Sequence, residues 1–454
     1  MEWMSLLRAV CLLVCCSLFP TYIWAASTPK AAKLPRIKGK PSKRKRKKKK
    51  PNRLEFTILP VLNYSTDRGL GFGVYSIIAK FKEGVYPYLW RAYFRLSSTV
   101  KLTENGEALF PFHEDFVRLD LPGLDGGRVR LNLRAGFFRF STTGYYGIGN
   151  ASQRLIGNGI SPELVKPSSY YQIDRIYPEV MLLSRRELWR KGRKRLSSFF
   201  GANVVYNVTN FAKGSRLDED IKAAERGASA HDLFLRDMLR GLRPHARFEA
   251  HLGLVYDSRD SEFAPSKGMF HEVSVRGGTA FSSELSYSGL NAKARFFFSI
   301  WKDYLVFAVR LIGDVLFGNT PYYELYRYGG LFPDEGPGGG YNIRGTSPQR
   351  FYGRGKLIGN AELRSKIFAF DTPVGYIALG LVLFADAGRV WGALSYQDKE
   401  VGRIVDGEGA GLQYGFGVGG RLQLGATVVM RADVAYSPSE NGNIGFFFLL
   451  GHVF

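Results

Sequence analysis

Three charged residues stand close together at Asp257, Arg259 and Asp260, and carboxylates beside a cation can act as acid–base groups in an enzyme. Pro265 and Gly268 follow them, and proline and glycine are typical of turns. A charge cluster that stabilises a turn between two strands is therefore the better interpretation of these five residues. We expect no catalytic role for them.

Histidine and cysteine offer no other catalytic site. The six histidines lie in no nucleophile elbow, phosphate loop or paired metal-ligand spacing; they are His113, His231, His245, His251, His271 and His452. The only cysteines are Cys11, Cys15 and Cys16. The sequence predicts that the protein is not an enzyme and has neither a cofactor nor a metal site.

One arginine, Arg344, lies in the glycine-rich stretch PGGGYNIRGTSPQR, residues 337–350, and Gly345 follows it directly. The stretch has neither helical nor strand periodicity. We predict that this arginine is held inside a β-barrel by the elements around its loop. A solvated loop residue is the alternative.

Residues 1–25 have the pattern of a secretory signal peptide, which processing would remove. Arg8 supplies the positive charge, and residues 9–19, AVCLLVCCSLF, form the apolar stretch, which contains all three cysteines. A transmembrane anchor is the alternative, but a spanning helix needs roughly 20 apolar residues.

Residues 26–53 read as a basic, disordered linker. The net charge of the chain is +23, and 14 lysines and arginines in residues 30–53 supply much of it, which leaves +9 for residues 54–454. The most basic part of this linker is an unbroken run of eight residues, Lys43, Arg44, Lys45, Arg46, Lys47, Lys48, Lys49 and Lys50. A solvated linker and a tether to an anionic surface both fit this composition. A secreted protein is not expected to bind nucleic acid.

From residue 54 onward, apolar and polar residues alternate with a period of two. Leu357, Ala361, Leu363 and Ile367 share one parity, and Lys356, Asn360, Glu362, Arg364 and Lys366 share the other. Large apolar side chains on one face and charges with glycine on the other are typical of a transmembrane β-barrel. We therefore predict an all-β fold, an antiparallel transmembrane barrel over residues 54–454. Sixteen strands would give about 25 residues per strand and connection.

Residues 216–243 break this pattern, with helical spacing at Leu233, Leu235, Met238 and Leu242. The sequence predicts a long outer loop with one short amphipathic helix; a small soluble insertion is the alternative. Residues 443–454 alternate again, and we expect Phe446, Phe448, Leu450 and Phe454 to share one face of the last strand as a C-terminal assembly signal.

Several segments resemble, in order, the bacterial surface antigen superfamily of outer-membrane assembly factors, the BamA/TamA type. They are YYGIGN at 145–150, YDSRDSEFAPSKG at 256–268, IRG at 343–345, NAELR at 360–364, FADAGRVW at 384–391 and the closing GHVF. The resemblance implies a bacterial outer-membrane barrel of 16 strands with a long loop folded into the lumen. It also implies that Arg344 of that loop pairs with Glu362 and Asp386, and the alternation independently turns both acids inward.

The resemblance implies assistance in inserting or translocating proteins across the outer membrane. Partners would be outer-membrane lipid and either unfolded outer-membrane proteins or a separate periplasmic protein. Insertases of this family carry POTRA domains of roughly 75 residues before the barrel, and we expect none in residues 26–53. A passive channel or a structural surface barrel is the alternative function.

Overall fold

The computed structural model describes residues 52–454, except 66–68, 84–87, 103–107, 157–159, 282–283, 373–374 and 425–427. The predicted signal peptide, the tract Lys43–Lys50 and nearly all of the predicted linker lie outside the described residues. The signal peptide and the basic linker with its tract Lys43–Lys50 remain predictions.

Strands account for most of the described residues, as the alternating sequence predicts. They are β1 (Arg53–Ser65), β2 (Gly69–Phe81), β3 (Trp90–Leu102), β4 (Ala108–Leu124), β5 (Val129–Gly144), β6 (Gln172–Lys191), β7 (Lys194–Phe211), β8 (His245–Asp257), β9 (Gly268–Ala280), β10 (Ser286–Trp301), β11 (Leu305–Asn319), β12 (Arg327–Tyr328), β13 (Asp334–Glu335), β14 (Gly355–Thr372), β15 (Gly375–Trp391), β16 (Gln413–Leu424), β17 (Val428–Ser437) and β18 (Asn443–Leu450).

The strands form a closed antiparallel barrel in which each pairs with its neighbours along the chain and β18 returns to β1. The two-residue strands β12 and β13 pair only with each other, so the barrel in the described part of the chain has 16 strands. The predicted fold class is confirmed.

Side chains alternate between the outside and the lumen along each strand, which follows from the strand period of two. On β15, Leu379, Leu381 and Leu383 are exposed on the outside, whereas Val382 and Asp386 are buried inside. The apolar outer surface is the face that lipid requires, and the inner face carries most of the buried charges.

The two ends of the barrel differ in the length of their connections. At one end short turns join β4 to β5, β6 to β7, β10 to β11 and β14 to β15; we call this the short-turn end. Connections at the other end include residues 145–171, 212–244, 320–354 and 392–412. Bacterial barrels place short turns in the periplasm and long loops outside.

Helices occur in the long connections. They are α1 (Arg216–Arg226), α2 (Ala230–Met238) and α3 (Lys399–Asp406), with 3-10 turns at Asp125–Gly127, Pro162–Leu164, Ser168–Tyr171, Tyr322–Glu324 and Pro438–Glu440. Where the sequence predicted one helix in residues 216–243, the structure has two. Among the described residues, no helix has the length and apolar character needed to cross a membrane.

Residues 320–354, which we call the lumen loop, fold back into the barrel. Their aromatic residues Tyr322, Tyr323 and Tyr326 are almost completely buried and pack with Leu235 and Met238 of α2. The long connections thus form a cap whose apolar core continues into the lumen. The loop fills the interior at this end of the barrel.

Candidate functional site: the lumen network and the strand seam

Arg344 lies at the centre of a buried ion-pair network that joins the lumen loop to the barrel wall. Its Nε and Nη2 donate to the two carboxylate oxygens of Asp386 at 2.7 and 2.9 Å, and its Nη1 donates to Glu362 Oε1 at 2.7 Å. The guanidinium carbon also lies 3.5 Å from the centre of the Phe384 ring. The structure therefore brings together the three charged residues that the sequence grouped by motif.

Gly345 allows the loop to approach the wall beside Arg344. Its φ of +90° favours glycine, and an added Cβ would lie 3.0 Å from backbone atoms of Tyr436 and Ser437. The amide of Asn443 on β18 donates to the Gly345 carbonyl at 2.7 Å. A larger side chain at this position would push the loop away from β17 and β18.

A third carboxylate, Asp433 on β17, joins the network and was not predicted. Arg344 Nη1 lies 3.4 Å from it, while Arg421 and Arg431 donate to it at 2.5 and 3.0 Å. Each of these three strand residues has the parity of the polar face of its strand, β16 or β17. Strand parity therefore predicts that these side chains point into the lumen. It does not predict which of them contacts Arg344.

Other charges hold the lumen loop at further points. Glu324 of the loop pairs with Arg247 of β8 and, at 2.9 Å, with Arg327. Asp314 of β11 accepts from the backbone N–H of Gly329 at 2.9 Å. Replacing one partner of such buried pairs leaves an uncompensated charge, so the contacts fix the loop in one position.

The turn between β8 and β9 contains the charge cluster that the sequence identified. Arg259 donates through Nε and Nη2 to the two oxygens of Asp257 at 3.0 and 2.9 Å. Asp260 accepts from the backbone N–H groups of Ser266 and Lys267 at 2.9 and 3.2 Å. Burial raises the pKa of Asp260, but these hydrogen bonds outweigh it and leave the pKa below 3.8.

Pro265 and Gly268 complete this turn. Gly268 has a φ of +104°, and an added Cβ would lie 2.5 Å from the Ser258 carbonyl oxygen. Pro265 lines a cavity at the short-turn end of the lumen. The arrangement has the hydrogen bonds of a structural turn.

The C-terminal segment corrects one prediction. Phe446 and Phe448 lie on the outer face of β18, but the strand ends at Leu450, whose side chain lies outside the described residues. After Gly451, with a φ of +84°, the chain turns inward. Phe454 does not share the face of Phe446 but is buried in the lumen against Phe297, Ala308 and Val453.

The pairing of β1 with β18, which we call the seam, is short among the described residues. Only Tyr64–Phe448 and Ser65–Phe447 are paired across it within the described strands. On its other side, β1 pairs with β2 at every position from Arg53 to Ser65. Among the described residues, the edge of β1 from Arg53 to Asn63 has no pairing with β18.

This closed 16-stranded barrel with an internal loop is a recurring class of fold. A family model described as the Omp85 superfamily domain matches residues 122–454. The chain therefore belongs to the Omp85 superfamily and is a bacterial outer-membrane β-barrel.

Solved structures show the same fold at low sequence identity. BamA from Haemophilus ducreyi lacking POTRA domains 1-3 is 12% identical, with a TM-score of 0.55 and coverage of 88% of this chain and 70% of that chain. CdiB from Escherichia coli is 10% identical, with a TM-score of 0.52 and coverage of 88% and 63%. The chain thus spans about two thirds of the length of each. No curated protein matches it.

Proposed function

We propose that this barrel assists the insertion or translocation of proteins at the outer membrane, through the open edge of β1 at the seam. Membership of the Omp85 superfamily supports this proposal, and the observation that carries it is the seam, in which the described residues form two pairs and leave the edge of β1 from Arg53 to Asn63 unpaired. The partners are then membrane lipid and an unfolded outer-membrane protein, with or without a separate periplasmic protein.

An unpaired strand edge offers a row of backbone donors and acceptors to an incoming strand. Most proteins block such edges because they template pairing with other chains. Addition of a strand to an edge is also a common mode of peptide recognition. The outward side chains of Leu54, Phe56, Ile58 and Leu62 on β1 are exposed, so a strand that paired there would continue the apolar outer surface.

A passive channel is the second candidate, and the surplus of positive charge in residues 54–454 would make it favour anions. The lumen loop counts against this candidate, because its buried contacts fill the interior that an open pore would need. The seam has no role in a channel, so locking it distinguishes the two functions.

The test is an insertion assay in liposomes with a lockable seam. A Tyr64→Cys/Phe448→Cys variant places two thiols on directly paired residues, and the predicted mature chain has no other cysteine. We expect the reduced variant to accelerate the folding of an added unfolded outer-membrane protein relative to empty liposomes. Oxidation should abolish the acceleration, and reductant should restore it.

The matched control is Val74→Cys/Leu96→Cys, a directly paired position between β2 and β3, which are already joined along most of their length. Its oxidation should leave the activity unchanged. Equal acceleration by the locked and unlocked seam would refute the edge mechanism. No acceleration by a correctly folded barrel would favour the channel.

A further inference from the structure

A dense group of positive charges lies at the tip of the β6–β7 hairpin, at the short-turn end of the barrel. Seven of the eleven residues 185–195 are lysine or arginine, and only Glu187 among them is acidic. Four other connections at this end each contain as many acidic as basic residues; they are 82–89, 125–128, 258–267 and 302–304. The excess of positive charge therefore belongs to this hairpin and not to the whole end of the barrel.

The tip of the hairpin extends beyond the strands on either side of it. Among the described residues, pairing with β5 ends at Arg186 and pairing with β8 ends at Arg195. Between these two residues, β6 and β7 continue to pair with each other up to Lys191 and Lys194. The tip thus protrudes from the rim of the barrel, on the side that short turns of such barrels present to the periplasm.

Most of these charges have no partner among the described residues. The one acid of the tip, Glu187, accepts from Arg190 at 2.7 Å. Five further basic side chains are exposed and form no ion pair with any residue that the structure describes; they are Arg186, Lys191, Arg193, Lys194 and Arg195. The hairpin therefore presents several free cations to the solvent or to a ligand.

The register of the hairpin places like charges directly opposite each other. Lys191 pairs with Lys194, and Arg190 pairs with Arg195. Like charges in directly opposed positions destabilise a pair of strands. An anion bound at the tip would relieve this repulsion, so the arrangement favours a ligand of negative charge.

The neighbouring turns extend the basic surface. Arg193 lines an open depression together with Lys267 of the β8–β9 turn and Lys302 of the β10–β11 turn. Two carboxylates line it as well, but both have partners. Asp303 is paired with a lysine of β14 at 2.7 Å, and Asp260 accepts hydrogen bonds from the backbone of its own turn.

Apolar side chains lie directly beside these charges. Leu188 and Trp189 are 54% and 45% exposed. A shift in the register of β6 and β7 places Trp189 opposite Leu196, on the outward face of the hairpin. Trp301 of the β10–β11 turn is exposed at the same end. Aromatic residues in this position form the girdle at which a barrel meets the lipid headgroups.

This combination fits a lipid surface better than a soluble acidic protein. Guanidinium groups bind phosphate oxygens with two parallel hydrogen bonds, and basic side chains are attracted to anionic lipid. Trp189 and Leu188 lie where the barrel wall meets the headgroups, and a partner in the aqueous periplasm would give the outward tryptophan no role.

We propose that the tip of the β6–β7 hairpin, residues 186–195, binds the headgroups of anionic phospholipids in the periplasmic leaflet. The lysines and arginines contact the phosphates, and Trp189 and Leu188 lie at the boundary between headgroups and acyl chains. The proposal rests on the location of the barrel in the outer membrane and does not depend on the function proposed for the seam.

The test is fluorescence quenching by brominated phospholipids in nanodiscs that contain the folded barrel. Trp189 is the reporter, and Trp90, Trp301 and Trp391 are replaced by phenylalanine, which leaves no other tryptophan in the predicted mature chain. Brominated phosphatidylglycerol and brominated phosphatidylcholine are compared at equal fractions in otherwise identical mixtures of the two lipids. If the reporter variant does not fold, the difference in quenching between the wild type and Trp189→Phe gives the same comparison.

We expect phosphatidylglycerol to bind beside Trp189 about fivefold more tightly than phosphatidylcholine, the ratio that the attraction of one basic residue to an anionic surface would give. The preference should disappear in about 1 M salt, where the Debye length is about 3 Å. The triple variant Lys191→Gln/Arg193→Gln/Lys194→Gln should abolish it at low salt.

The matched control is Lys166→Gln/Lys213→Gln/Lys399→Gln, which removes the same number of charges from exposed positions in the long connections. It should keep the preference for phosphatidylglycerol. Equal quenching by the two lipids at low salt, or a preference that the hairpin variant retains, would overturn the proposal. An acidic segment of a soluble protein would then be the partner that the hairpin still fits.

Discussion

At the scale of single residues, the lumen network depends on arginine and not merely on positive charge. Arg344 uses Nε and Nη2 on Asp386 and Nη1 on Glu362, so one planar group bridges two strands. A lysine has a single ammonium group and cannot reproduce this geometry. The bridge connects β14 and β15 to the loop.

We expect Arg344→Ala to destabilise the folded barrel by about 3–5 kcal/mol, because Asp386 would remain buried without an ion-pair partner among the described residues and Glu362 would lose one of its partners. Arg344→Lys should recover only part of this loss. The measurement is the urea midpoint of unfolding, read from the heat-modifiable gel mobility that distinguishes the folded from the unfolded barrel. Arg403→Ala, on the exposed face of α3, is the control. A wild-type midpoint and a protease-resistant lumen loop in Arg344→Ala would refute the tether.

Asp260 gives the β8–β9 turn a dependence on pH. Its pKa is lower in the folded protein than the usual 3.8, so its contribution to stability is present above that value and is lost as the pH falls through the folded-state pKa. We expect Asp260→Asn to lower the thermal midpoint at neutral pH. The difference from the wild type should shrink in strong acid. A difference that is independent of pH would show that the charge of Asp260 is unimportant.

The partners of Arg344 could be predicted from the sequence, because the strand parity of Glu362 and Asp386 agreed with the motif. Asp433 could not be assigned to the same network. Parity shows that a side chain enters the lumen, but its depth and neighbours depend on the register and tilt of strands far apart in the chain.

At the scale of elements, two short segments depart from the predicted pattern for local reasons. The single helix predicted in residues 216–243 is divided at Gly227, which has a φ of +60° and caps the end of α1. Ser229 then caps α2 by accepting from the backbone N–H of Asp232 at 3.1 Å. Gly227 thus ends the first helix and Ser229 begins the second. The spacing of apolar residues, from which one helix was predicted, carries no information about such caps.

The C-terminal segment departs from the predicted strand because Gly451 allows the chain to turn. The alternation of apolar residues would instead have extended β18 to Phe454. Phe454 then packs against Phe297 with ring centres 6.2 Å apart, and Arg310 and Arg364 lie over its ring at 5.2 and 4.8 Å. Burial among apolar and guanidinium groups offsets the loss of strand pairing. A period of two cannot reveal this choice.

We expect Phe454→Ala to cost up to about 3 kcal/mol of stability, the lower part of the range for a buried phenylalanine, because the segment is short and can adjust. The urea midpoint in detergent measures it. Phe446→Ala is the matched control: its side chain is 47% exposed on the outer face, and detergent can fill the space that it leaves. Equal effects of the two substitutions would contradict the buried position of Phe454.

At the scale of the whole molecule, the sequence predicted the closed antiparallel barrel because each strand buries one face in the lumen and exposes the other. This alternation is local and repeats along the chain. The number of strands was predicted from a family resemblance. Neither the alternation nor the resemblance predicted how far β1 and β18 pair at the seam. Residue pairs between β1 and β18 join residues almost 400 positions apart, and no local pattern determines how many form.

Ion conductance follows from how the whole barrel is filled. The lumen loop is held by Arg344 at one point and by Glu324 and its pair with Arg247 at another, so we expect the wild-type barrel to conduct little in a planar bilayer. Arg344→Ala should release part of the loop and raise the conductance, with a preference for anions because residues 54–454 carry a net charge of +9. Arg403→Ala should conduct as the wild type does. A large steady wild-type conductance, unchanged by Arg344→Ala, would show that the loop does not close the lumen and would favour the channel as the function.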